Sequence, residues 1–338
     1  MAAPARTPSV GRMTTLQRAD PDSAIISVSD LRMRYGHRDA LTGLSFEVFS
    51  GELFAVVGPN GAGKTSTMEI LEGYRQRTGG QVSVLGADPW RAGRRWRAQI
   101  GVMLQETGPE ADLMVSECLR LYGGYYSDAR PAGELLELTG LDDQASARAS
   151  QLSGGQRRKL DMALALIGRP RLLFLDEPTT GFDPSARHDA WDAIAALKAE
   201  GTTILLTTHY MEEAERLADR VAVIAAGSLV RLGPPGSLLG GQTAPTITFT
   251  LPAGLRTEDL PEPLRHAAST TGGRVTLTAA SPLAMLRVLA DWAEAGEHDL
   301  TDLEVRHPTL EDAYLQLTEQ EPNVTDGAAI AKEAQATT

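Results

Sequence analysis

The sequence predicts an α/β chain with a parallel sheet core around a phosphate-binding loop. An antiparallel strand pair precedes that loop, a helical insert interrupts the core, and a small C-terminal α+β domain follows it. Three observations carry this. Leu53–Val57 is a short continuous apolar run, as in a strand buried on both faces, and it enters Gly58-Pro59-Asn60-Gly61-Ala62-Gly63-Lys64-Thr65 directly. A second such run, Leu172–Leu175, delivers two adjacent carboxylates, Asp176 and Glu177. After Gly233-Pro-Pro-Gly the composition changes, and a second unit begins near residue 241.

At 338 residues the chain can build two cores without disulfides or metal. The formal charge of −12 argues against a broad nucleic-acid footprint. The single cysteine, Cys118, excludes an internal disulfide and reads as a small buried apolar side chain. No stretch reads as a membrane span, since the uncharged run 232–255 is broken by Gly, Pro, Ser and Thr. Residues 1–22 hold no apolar segment of the kind a secretion signal needs, so a disordered leader and a cytoplasmic setting are expected.

In chain order, Ile25–Tyr35 and Leu44–Phe49 alternate apolar and polar residues and read as an antiparallel edge. The loop at 58–65 fits the G-x-x-x-x-G-K-[ST] pattern at every fixed position. Its glycines let successive backbone N–H groups converge on a phosphate, and the helix from Lys64 to about Tyr74 adds the positive end of its dipole. Lys64 can then reach the β- and γ-phosphates, and the Thr65 hydroxyl is placed for Mg²⁺. Gly79–Leu85 reads as a further strand, and Trp90 and Trp96 with the arginines between them as an amphipathic surface segment. Ile100–Leu104 is apolar and ends at Gln105, followed by helical periodicity at Val115–Tyr122 and Ala132–Leu138.

Ser153-Gly154-Gly155-Gln156 opens a helix in which Ser153 is a natural N-cap and the bare glycines leave N–H groups open to an anion. That helix runs to Gly168-Arg169-Pro170, ahead of the strand bearing Asp176 and Glu177. Thr203–Thr207 is the next buried strand and ends at Thr208-His209; Met211, Ala214, Leu217 and Val221 then recur at helical spacing. Val221–Ala225 and Ser228–Leu232 form a hairpin around Ala226-Gly227. Beyond it, strand-like Thr246–Leu251 and Arg274–Thr278 alternate with the helical run Leu283–Trp292. Residues 241–318 carry five Arg and eleven Asp or Glu, which disfavours nucleic acid there as well. Residues 319–338 read as a disordered tail.

Taken together, the loop at Gly58–Thr65, the tetrad Ser153–Gln156, the Asp176-Glu177 pair and His209 resemble the P-loop NTPase fold of ABC transporter ATP-binding subunits. The resemblance covers roughly residues 25–235, and the ending His-Pro-Thr-Leu-Glu-Asp-Ala-Tyr-Leu-Gln-Leu-Thr resembles ATPases of the daunorubicin-resistance type. It implies an ATPase domain over 23–236, a helical subdomain over about 106–150 that grips a membrane partner, and an accessory domain over 241–318. ATP would be held by Gly58 through Ser66, with Tyr35 stacked on adenine although by itself it reads as a packing tyrosine. Thr65, Gln105 and Asp176 would hold Mg²⁺, with Gln105 also near the attacking water. Glu177 would be the general base and His209 a γ-phosphate contact. The tetrad would cap the ATP of a second subunit, so that a homodimer completes each site, and Asp183 is counted with the nucleotide-binding residues; Phe182 stands where the family more often has Leu. A separate ABC-2 type transmembrane permease is the implied partner, holding this chain on the inner face of the cell membrane, and export of a drug, antibiotic or lipid-like small molecule is the implied task. The competing readings are a soluble ABC ATPase on nucleic acid or ribosomes, which tends to carry tandem cassettes or coiled coils lacking here, and a P-loop kinase or GTPase, which leaves the tetrad and His209 unexplained.

Overall fold

The computed structural model describes residues 24–103, 111–239, 244–252, 254–278, 281–306 and 309–312. The expected leader at 1–22, the tail at 319–338 and Gln105 lie outside the described residues. Strands β1 (Ala24–Tyr35) and β2 (Arg38–Phe49) pair antiparallel through a tight turn at Gly36, where φ is +57°. β2 starts six residues before the expected Leu44, because Arg38–Gly43 continues the ladder opposite Leu31–Tyr35. β3 (Leu53–Val57) is followed by helix α1 (Lys64–Leu71) and then β4 (Gly79–Val84), which joins the other edge of β1. The expected antiparallel edge is thus a separate three-stranded sheet, ordered β2-β1-β4.

A short helix α2 (Arg94–Arg97) leads into β5 (Ile100–Met103). Trp96 does not lie on a surface face: it is buried and its indole N–H donates to the Val84 carbonyl at 2.8 Å, so the strand at 79–84 draws it inward, while Trp90 stays exposed. The helical insert follows with α3 (Val115–Gly123), which buries Cys118, and α4 (Ala132–Thr139). Then come α5 (Gly154–Leu166), β6 (Leu172–Asp176), α6 (Pro184–Ala199), β7 (Thr203–Thr208), α7 (Met211–Leu217) and the hairpin β8 (Arg220–Ala225) and β9 (Ser228–Gly233). Val221 belongs to β8, since α7 stops at Leu217 and Asp219 turns the chain by accepting the Leu53 N–H at 2.9 Å.

The central sheet runs β5-β6-β7-β3-β8-β9 and is parallel except for the last pair. Its alternating side chains feed two cores. Leu53, Ala55, Val57, Leu173 and Leu175 pack with α3, α5, α6 and α7, whereas Phe54, Val56, Leu172 and Phe174 pack with α1 and the three-stranded sheet. A strand covered on both sides needs apolar residues at every position, which is why β3 and β6 read as unbroken apolar runs.

The C-terminal unit is a second antiparallel sheet, ordered β11-β12-β10-β13, from β10 (Thr246–Thr250), β11 (Ala268–Thr271), β12 (Arg274–Thr278) and β13 (Thr301–Arg306). Helices α8 (Glu262–Arg265) and α9 (Pro282–Ala295) cover it, and Ile247, Phe249, Leu264, Val275, Leu277 and Leu289 form its core. Past β13 the chain returns: Leu310 is 1% exposed and joins the helical-side core of the first unit, together with Leu238. Thr309 and Asp312 form a capping pair, the Thr309 N–H donating to Asp312 at 2.8 Å. Replacing Leu310 by Ala should therefore destabilise the N-terminal unit by about 2–5 kcal/mol, the range for a buried leucine truncation; an unchanged urea midpoint for that unit would show that Leu310 is not part of its core.

Candidate nucleotide site

The site is assembled where the phosphate loop leaves β3 and the carboxylates leave β6. Backbone geometry dictates the glycines. A Cβ on Gly58 would stand 2.2 Å from the Ile224 carbonyl oxygen, and one on Gly63, at φ +106°, would stand 2.5 Å from the Leu41 side chain. Lys64 begins α1 and folds back over the loop, its ammonium donating to the carbonyls of Gly58 at 2.8 Å and Pro59 at 3.2 Å. Only 6% exposed, its pKa is pulled below the usual lysine range by burial, against the opposing pull of Glu177 and Asp176. Ala62 is buried beneath the loop.

Asp176 is also buried, and burial raises its pKa while a hydrogen bond from the Thr207 hydroxyl opposes the rise. Glu177 lies one residue past the strand at φ +48°, in the left-handed region. Its N–H is shared by the Thr207 carbonyl at 3.1 Å and the Thr207 hydroxyl at 3.2 Å. Its carboxylate accepts from the Thr180 hydroxyl at 3.2 Å and lies 3.4 Å from Nδ1 of His209. The Glu177 side chain is 14% exposed and that of His209 37%, so both reach an open space rather than the core.

That space is a cavity of about 690 Å³ lined by Tyr35, Asn60, Gly61, Gly63, Lys64, Thr65, Ser66, Glu177 and His209, and also by Arg38, Ala40 and Thr180. Its size suits a nucleotide-sized ligand. The Tyr35 hydroxyl and the Ser66 hydroxyl are 3.0 Å apart, and the Arg75 guanidinium lies 5.1 Å from the Tyr35 ring centroid. Residues far apart in sequence are thus brought together around one ammonium and two carboxylates, with hydroxyls and backbone N–H groups at the loop.

The tetrad lies outside this cavity. Ser153 caps α5 by accepting the Gln156 N–H at 3.2 Å, and the Gln156 side chain returns the favour at the Ser153 N–H at 3.0 Å. This leaves the helix-end N–H groups of exposed Gly154 and half-buried Gly155 without intrahelical acceptors. Asp183 caps α6 through the Ala186 N–H at 3.0 Å and is exposed; Phe182 beside it is buried, with its ring 3.9 Å from where a Cβ on Gly155 would stand.

Several residues were not legible as site residues. Thr207 grips both Asp176 and Glu177, and Arg158 donates to their main-chain carbonyls. Glu213, fully buried in α7, accepts from the Thr179 hydroxyl at 2.9 Å and the Trp191 indole at 3.0 Å. Glu72, buried behind α1, has an oxygen with no hydrogen-bond partner, and burial reinforced by Asp176 and Glu69 pushes its pKa up to about 8. The only sequence signal for Thr207 and Arg158 is their place two residues from His209 and Gln156, and Glu213 and Glu72 stand farther from any motif.

A phosphate loop at the end of a buried parallel strand, faced by a Walker-type carboxylate pair, defines a P-loop nucleoside-triphosphatase. Residues 41–180 match the family described as ABC transporter, and residues 245–309 match the C-terminal domain of ABC transporter domain-containing proteins. The Nod factor export ATP-binding protein I of Ralstonia nicotianae is 39% identical over 310 residues, covering 88% of this chain and 94% of its own. The protein of that name in Rhizobium meliloti is 39% identical over 315 residues, covering 91% and 92%. Among solved structures, an ATP-binding subunit of an ABC transporter superposes with a TM-score of 0.57 at 28% identity, covering 63% of this chain and 91% of its own. A dimeric post-hydrolysis cassette holding ADP and phosphate superposes with a TM-score of 0.57 at 22% identity, covering 62% and 98%. The chain belongs to the ABC transporter family and is an ATP-binding, ATP-hydrolysing component of it. The curated relatives carry the name of Nod factor export, not of daunorubicin resistance.

Two consequences can be measured. Gly63→Ala should weaken ATP binding by about 5–150-fold, since its strained φ alone is worth roughly 1–3 kcal/mol, and nucleotide titration reads this. Glu72 holds its proton in the folded state up to about pH 8 but in the unfolded chain only to about 4.5. Stability should therefore fall as pH rises through that window and level off above it. Glu72→Gln should remove this slope from melting temperatures compared between pH 5.5 and 8.5.

Proposed function

We propose that this chain is the ATP-hydrolysing subunit of an exporter whose membrane-spanning part is a separate ABC-2 type permease, seated on the cytoplasmic face of the membrane. The observation that carries the reading is the single cavity that gathers Lys64 and Thr65 with Glu177 and His209. Glu177 would take the proton of the attacking water, held in place by Thr180 and His209. Lys64 and the loop N–H groups would hold the phosphates, and Tyr35 would stack on the base. The site suits Mg²⁺: two carboxylates outnumber one buried ammonium, and all the nearby ligands are hard oxygens. Thr65, Asp176 and Gln105 would hold the ion, the remaining ligands coming from phosphate and water. Mg²⁺ supplies neutralisation of charge at the β- and γ-phosphates when bound.

Dimerisation is proposed on the placement of the tetrad. Ser153–Gln156 is partly exposed and does not line this chain's own cavity, and it offers helix-end N–H groups of the kind that take a phosphate. A second copy would present its ATP there, with Asp183 at the seam. A cassette of this fold solved as a dimer supports the reading.

For the permease, support comes from a groove of about 550 Å³ between β5 and the helical insert, lined by Tyr74, Val102, Tyr122, Tyr126 and Leu164. Aromatic rings with a polar tip suit a partner segment near a membrane surface. Among the described residues no helix is long and apolar enough to cross a membrane. The domain limits follow as a proposal: an ATPase unit over 23–236 with its helical part at about 106–150, and an accessory unit over 241–318. The cargo class is a small molecule, drug, antibiotic or lipid-like, and the name of the relatives widens it beyond drugs. Glu177→Gln should lower ATP turnover by about 10²–10⁴ while ATP binding is kept, the worth of a positioned base; wild-type turnover in this variant would remove Glu177 from that role.

A further inference from the structure

Arg158 stands on the first turns of α5, two residues beyond Gln156. Its Nη2 donates to the main-chain carbonyl of Glu177 at 3.0 Å and to that of Asp176 at 3.3 Å. These carbonyls belong to the turn that aims the Glu177 carboxylate, and the turn is unusual because Glu177 occupies the left-handed region. A non-glycine residue stays there only when its surroundings over-determine it. Here the two sides of the residue are held by different elements. Its N–H is fixed to the sheet through Thr207 of β7, and its C=O is fixed to α5 through Arg158.

The tetrad opens this same end of α5. Gly155, one turn before Arg158, lies against Phe182, which follows Glu177 by five residues. A movement of the α5 N-terminus therefore reaches the Glu177 turn by one charge-assisted hydrogen-bonding group and one packing contact. β7 lies in the middle of the six-stranded sheet and offers no comparable freedom. Arg158 also sits three residues before Asp161, half-buried on the same helix, whose carboxyl is pushed up to about 6 by burial against the opposing pull of Arg158 and Arg157.

We propose that Arg158 is a positioning residue that carries the occupancy of the tetrad to the general base, so that Glu177 is correctly aimed only when a second copy's ATP is seated on Gly154 and Gly155. This rests on the reading that the tetrad faces the ATP of a second copy. In this role the guanidinium acts through the peptide from which the carboxylate projects. It links the two ATP sites through one side chain on one helix.

The test uses the full chain with Mg²⁺ and ATP. In Arg158→Met, turnover should fall about 10–100-fold, the rate equivalent of losing one charge-assisted hydrogen-bonding group in the transition state, while KM for ATP stays near wild type. Arg158→Lys, which keeps the charge but can satisfy the carbonyls less fully, should fall between. Millimolar guanidinium should restore turnover to Arg158→Ala and not to Arg158→Met, where the methionine fills the space. Light scattering with ATP on Glu177→Gln checks the underlying dimer separately, and the double variant Glu177→Gln/Arg158→Met should still dimerise. If Glu177→Gln dimerises with ATP and Arg158→Met turns over like wild type, the inference is overturned and the dimer stands. If Glu177→Gln stays monomeric with ATP, the dimer reading falls and takes the inference with it. Loss of ATP binding together with turnover in both Arg158→Met and Arg158→Ala, unrescued by guanidinium, would assign Arg158 a purely structural role and overturn the proposal.

Discussion

The constraint on which the rest depends is the burial of one ammonium and two carboxylates under a phosphate loop. Lys64 is pulled toward neutrality by desolvation, opposed first by Glu177 and then by Asp176; Asp176 is pulled the same way, opposed first by the Thr207 hydroxyl and then by Lys64. Such a cluster is held only where every remaining lone pair and proton has a partner. Lys64 finds two loop carbonyls, Asp176 finds the Thr207 hydroxyl, and Glu177 finds Thr180 and His209. The partners come from the ends of three strands, β3, β6 and β7. The parallel sheet is the frame that brings those ends to one edge, and its two apolar cores fix the frame from both sides.

Polar residues behind the site extend the same logic outward. Glu213 receives the Thr179 hydroxyl from the turn after Glu177 and the Trp191 indole from α6, and it lies on the helix that follows His209. Glu72 presses on Asp176 from behind α1 and is held protonated by the same scarcity of water that perturbs Asp176 itself. Fully satisfied buried networks rigidify, and partly satisfied ones respond to charge. Among the described residues, Glu213 and Glu72 each keep one buried oxygen without a hydrogen-bond partner, so this outer layer belongs to the second kind.

Much of this was legible in the sequence because it is local. Gly58–Thr65, the Asp176-Glu177 pair and the strands that carry them are contiguous patterns whose spacing reflects backbone geometry. The limits appear where contacts are non-local. Trp96 reads as a surface residue until the Val84 carbonyl is known to lie above it. Val221 fits a helical spacing but is claimed by β3, against which it pairs. The strand at 268–271 is Ala-Ser-Thr-Thr, and that at 301–306 is exposed throughout although Leu303 and Val305 alternate with charged residues, so no buried apolar face marks either. Arg158 and Thr207 have ordinary surroundings in sequence, and only the meeting of α5 with the end of β6 gives them a task.

Leu310 has a consequence of another kind. It comes from beyond the C-terminal sheet, yet its side chain fills a place in the core of the first unit, beside residues from β3 and β8. The accessory unit is therefore tied to the ATPase unit at both of its ends, by the covalent link after Leu238 and by this leucine. During synthesis the first unit emerges with an apolar socket that stays open to water until some 70 further residues have followed, as far as position 310. The accessory unit must fold in the interval, between a domain already formed and the last residue needed to close it.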